Sequence, residues 1–130
     1  MAEALAALSV AANIFQVISF SHECFILLKD IYKHGQPNPI AAQHALNLST
    51  LSSTLKGSLT SDEKELHRLS DRCIKGSEEL KHELEKVCAG QSKVGIFFKT
   101  LATKGKLERL EKAMKDNEEQ LDKYLHVDDR

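Results

Sequence analysis

Between Ala4 and His22 the chain runs 19 residues without a formal charge, and a run of that length leaves few ways to fold. It approaches the ~20 residues that span a bilayer. Met1-Ala2-Glu3 carries an acid rather than the basic start of a signal peptide. Asn13 and Gln16 also interrupt the run one helical turn apart. A permanent transmembrane helix is one reading, and a buried helix of a soluble bundle is the expected one.

The rest of the chain agrees with a bundle. At 130 residues it makes one domain, large enough to bury a core without metal or disulfides. Seven aromatic residues and no Trp leave that core to Leu, Ile, Val and Ala. No alternating run is bounded by hairpin turns, so no strand is expected. Glu3, Glu23, Asp30, Lys29, Lys33 and Lys56 are the only formal charges in the first 60 residues. The first half is therefore expected to be the more buried, and the second to present solvated faces.

Five helices are expected, over residues 4–33, 39–57, 61–89, 93–102 and 105–125, in an all-α bundle of four to five helices. In the first, Leu5, Leu8, Ala12 and Phe15, and then Ile18, Phe25, Leu28 and Tyr32, follow three- and four-residue steps apart from the seven between Ile18 and Phe25. Val10, Ile14, Val17, Ile26 and Leu27 lie off that stripe. Gly35 ends the helix, and Gln36-Pro37-Asn38-Pro39 turns it, with Asn38 as cap and Pro39 in the first helical position. Ala42, Ala45, Leu48, Leu51 and Leu55 carry the second helix to Gly57. Thr60 and Glu63 have the spacing of a capping box. Leu66, Leu69, Cys73, Gly76 or Ser77, Leu80, Leu84 and Val87 carry the third, closed by Gly90, with Ser92 capping the next helix. Val94, Phe97, Phe98 and Leu101 form one apolar patch, and Leu107, Leu110, Met114, Asn117, Leu121 and Tyr124 another. The step between them fits no single stripe, which places a hinge at Thr103–Gly105.

Motifs for chemistry are not expected. No Walker loop, dinucleotide glycine pattern or nucleophile elbow occurs. Glu79-x-x-His82 has di-iron spacing but only one such pair exists, where two pairs and further carboxylates are needed. Cys73 and Cys88 lack a Cys-x-x-Cys element, and with Cys24 they read as free thiols in a reducing cytoplasm. The net charge of −1 gives no pull toward nucleic acid. Neither catalysis nor a cofactor is expected.

Two stretches can carry function. One is the apolar first helix, with Leu5, Leu8, Val10, Ile14, Phe15, Val17, Ile18 and Phe20 as membrane-inserting candidates. Asn13 and Gln16 would then face neighbouring helices or a water-filled pore. The other interleaves Lys93, Lys99, Lys104, Lys106, Arg109 and Lys112 with Phe97, Phe98 and Leu101, a composition that adsorbs to anionic lipid. A solvated helix face is the plain alternative for those bases.

Met1 to Ala6, Ala11-Ala12-Asn13-Ile14-Phe15-Gln16-Val17, Leu28-Lys29-Asp30-Ile31-Tyr32-Lys33 and Leu107 through Leu121 together resemble the amino-terminal domain of fungal STAND receptors, of the HeLo-like or SesA-like kind. The resemblance covers nearly the whole chain. Where many relatives carry a Trp near the short helix, Phe97 and Phe98 stand here. It implies an excised or stand-alone signalling domain of innate immunity or self/non-self recognition, likened to the four-helix killer domain of necroptosis. In such receptors a nucleotide-binding oligomerisation domain follows. The implied action is self-association, then movement from cytoplasm to plasma membrane and permeabilisation by the first helix. A protein–protein interaction module without membrane activity is the alternative.

Overall fold

The computed structural model describes residues 2–34, 39–58, 64–88 and 93–128, and side chains for 8–34, 39–58, 64–87 and 105–126. Four helices account for nearly all of it: α1 (Ala2–His34), α2 (Ile40–Gly57), α3 (Lys64–Cys88) and α4 (Lys93–Asp128). The all-helical bundle is as expected, and no strand occurs among the described residues.

At 1.5 Å per residue α1 is roughly 50 Å long and α4 roughly 54 Å, both well beyond α2 and α3. Among the described residues, α1 and α3 each touch all three other helices, whereas α2 and α4 do not meet. The pair α1/α3 is therefore the centre of the bundle, with α2 on one side and α4 on the other. Along α3 and α4 the pairs Arg72 to Gln120 and Glu83 to Lys106 run in opposite senses, so these helices are antiparallel.

The stripes expected for α3 and for the second half of α4 are the ones that face inward. Leu66, Leu69, Cys73, Ser77, Leu80, Leu84 and Val87 are buried, and Leu107, Leu110, Met114, Asn117 and Leu121 meet them from α4. In both helices acids and bases occupy most of the remaining positions. Water therefore claims one side and leaves only one orientation.

Three expectations give way. α4 passes through Thr103–Gly105 as one helix rather than hinging there. A lone glycine costs a helix only ~1 kcal/mol relative to Ala, and no Pro stands near it. α2 begins at Ile40, with Pro39 just before it in helical dihedrals (φ −62°, ψ −20°) and its carbonyl accepting from the Ala42 N–H at 3.2 Å. Within α2, Ala41 and not Ala42 faces the core, and Ser52 is buried where Leu51 is only partly so. The proposed caps at Asn38, Thr60 with Glu63, and Ser92 lie outside the described residues, as does the apolar patch of Val94, Phe97, Phe98 and Leu101.

The largest correction concerns α1. Val10, Ile14 and Val17, read as lying off the stripe, are completely buried, together with Cys24 and Leu28, and with Ile18, Phe25 and Ile31 nearly so. Leu8 is 58% exposed, Ala12 is exposed and Phe15 is only partly buried. From Ala4 to His22 the helix carries apolar residues on more than one side and no charge to mark its wet side, so packing against α2, α3 and α4 made the choice. Of the expected stripe, Ile18, Phe25 and Leu28 do reach the core, whereas Leu8 and Ala12 are left outside.

Candidate functional site

α1 is the element on which both functional readings converge. Of its membrane-inserting candidates, Val10, Ile14, Val17 and Ile18 lie in the core, Phe15 and Phe20 pack against its margin, and Leu8 points outward. Leu5 lies outside the described side chains. Asn13 is half-buried and Gln16 exposed. Among the described residues, Leu8–His34 is the one stretch long and apolar enough to cross a membrane.

The flanks of α1 are held by distinct contacts. Toward α2, Phe20 stacks on His44 with ring centroids 5.0 Å apart. Toward α4, the Lys29 ammonium donates to both carboxylate oxygens of Glu111 at 2.8 Å. Exposed pairs of this kind contribute little, ~0–1 kcal/mol, so burial and not charge fixes α1 in place. A cleft of about 450 Å³ opens between α1 and α4, lined among others by Ile18, His22, Phe25, Glu108 and Met114.

The basic stretch divides. Lys93, Lys99 and Lys104 lie outside the described side chains. Arg109 is exposed and Lys112 lines the α1/α4 cleft. Lys106 is engaged in the protein: its ammonium lies 3.0 Å from Oε1 of Glu83, whose side chain is 1% exposed. Lys86 approaches the same oxygen at 3.4 Å. Glu83 Oε2 is buried without a hydrogen-bond partner among the described residues. An i+3 step from Leu80 places Glu83 on the buried stripe, so spacing could have revealed it; its charge concealed it.

Glu79 and His82 are exposed on α3, and the described residues hold no group of three or more potential metal ligands. Cys24 and Cys73 are buried as free thiols. Burial pushes both up to about 12, aided at Cys24 by nearby Glu23 and opposed at Cys73 by a hydrogen bond with Asn117. Cys88 lies outside the described side chains.

No protein-family model, curated protein or solved structure matches the chain.

Proposed function

We propose that the chain is a non-catalytic, cytoplasmic signalling module of the HeLo-like or SesA-like kind, working by self-association and docking while α1 remains within its bundle. The observation that carries this reading is the place of α1 at the centre. Freeing it would uncover Val10, Ile14, Val17, Phe25 and Leu28, all 0–1% exposed. At roughly 1.5–3 kcal/mol for each such side chain, the loss rivals the ~5–15 kcal/mol that stabilises a whole domain. The inner faces of α2, α3 and α4 would be uncovered as well. A surface can bind without that expense, and a nucleotide-binding oligomerisation domain following such a module would raise its local concentration. The test is light scattering on the lipid-free protein across a concentration series. Reversible self-association supports the reading, and a strict monomer at every concentration counts against it.

A second reading has an observation of its own. The Leu8–His34 stretch could cross a bilayer, and lipid would re-bury the apolar side chains that the core gives up. On this reading clustering releases α1, bases including Arg109 meet anionic headgroups, and the membrane leaks. Dye release from anionic against neutral vesicles separates the two, with Phe15→Asp as the probe. Ile14→Asp would unfold the resting bundle, because Ile14 is fully buried.

A further inference from the structure

The stripe that α1 leaves outside has a regular form. Leu8, Ala12, Phe15, Ser19, His22 and Ile26 follow one another at steps of four, three, four, three and four. That is the 3.5-residue spacing of a helix–helix seam. Five of the six are exposed, and Phe15 is partly buried. The row lies on the outer side of α1, between the flank that meets α2 at Phe20 and the flank that meets α4 at Lys29. Leu8 and Ile26, at its two ends, are 58% and 57% exposed. Of this row only Phe15 packs against the core, at its margin.

We propose that the seam docks onto the same seam of a second copy of this chain, with the two α1 helices antiparallel about a two-fold axis near Val17. The inference deepens the self-association reading above and rests on it. Size complementarity singles out the occupant. In the antiparallel register, Leu8 meets Ile26 of the partner copy, Phe15 meets Ser19, and Ala12 meets His22. Each large side chain except the terminal pair thus faces a small one, the condition for close packing.

Charge singles out the direction. After Glu3, α1 carries no formal charge from Ala4 to His22, and its charges resume at Glu23. An antiparallel pair lays Glu23 and Lys29 of each copy beside the uncharged stretch 4–22 of the other. A parallel pair in register would set Glu23 against Glu23 and Lys29 against Lys29, like charges that repel. An isologous contact of this kind closes at two copies, leaving the charged faces of α3 and α4 free for other contacts.

The experiment compares the full-length chain with Ser19→Glu and, as a control, Ser53→Glu on the exposed side of α2, by sedimentation equilibrium. Both replaced residues are exposed, so both variants keep the bundle. Ser19→Glu places an unpaired charge in the seam and is expected to weaken the dimer on the order of a hundredfold, with Ser53→Glu changing it little. Leu8→Cys and Ile26→Cys chains, mixed under mild oxidation, are expected to form a mixed covalent dimer in preference to either self-linked one. A dimer unaffected by Ser19→Glu, or one in which Leu8→Cys links mainly to itself, overturns the seam while self-association stands. A monomeric parent chain overturns both.

Discussion

Lys106 reaches across from α4 to place its ammonium 3.0 Å from Oε1 of Glu83, a carboxylate buried in the α3 side of the core. The contact joins one of the bases read as lipid-facing to an acid that spacing alone assigns to the interior. Desolvating a carboxylate is costly, and the cost is tolerable only while cations stay beside it.

Replacing Lys106 with Met should therefore destabilise the bundle by about 1–3 kcal/mol, less than a fully buried pair because Lys86 remains and Lys106 is itself one-third exposed. Adding Glu83→Met to that variant should recover most of the loss, since an apolar side chain leaves nothing uncompensated. Urea unfolding of the two single variants and the double variant measures the coupling. Additive losses would mean that the pair does not interact.

Where α3 and α4 cross, Gly76 faces Met114. A β-carbon at Gly76 would lie 2.6 Å from the Met114 Cε methyl, the movable end of a flexible side chain. Gly76→Ala should therefore fall within about 1 kcal/mol of the parent, the gain in helix propensity offsetting the displaced methyl. Gly76→Ile cannot be accommodated that way and should cost roughly 1–3 kcal/mol by overpacking. Thermal unfolding of both variants checks the contrast.

Gly105 presents the opposite case. Nothing lies within 4 Å of a β-carbon added there, and α4 is continuous through it. Gly105→Ala should stabilise the chain by about 0.5–1 kcal/mol. A loss of stability on denaturant unfolding would argue instead for a bend at this position.

The thiols of Cys24 and Cys73 should stay unmodified by alkylating reagents near neutral pH until the bundle unfolds, which mass spectrometry can follow. Their pKa, raised from 9.0 to about 12 in the folded state, also gives stability a direction with pH. Below about 9 the thiols are neutral whether the chain is folded or not, and their contribution is complete. Between 9 and 12 the unfolded chain loses these protons first, so stability falls as pH rises through that window.

What could be read from the residues depended on where the charges lie. α3 and the second half of α4 alternate charge and apolar positions, and their inward faces follow from that pattern. α1 offers two apolar rows and no charge between Ala4 and His22. The row through Leu8, Ala12 and Phe15 looked as good as the row through Val10, Ile14 and Val17, and only three neighbouring helices decide between them. The same ambiguity explains the outward seam, because a surface row and a core row are written in the same residue types. Gly105 reads as a break because the apolar phase changes nearby, yet the helix continues through the change of phase. Spacing places Glu83 inward, but its charge argues the other way, and the cation that makes its burial tolerable, Lys106, lies 23 residues away along the chain.

The central claim is that α1 stays packed while the chain associates, and hydrogen exchange tests it most directly. Amide exchange in α1 should be followed before and after self-association, and again with anionic vesicles present. Amides from Val10 to Ile31 should remain as protected as those in the middle of α3, opening only with global unfolding. Selective loss of protection in α1, with α3 still closed, would contradict the account and favour release of the helix into lipid.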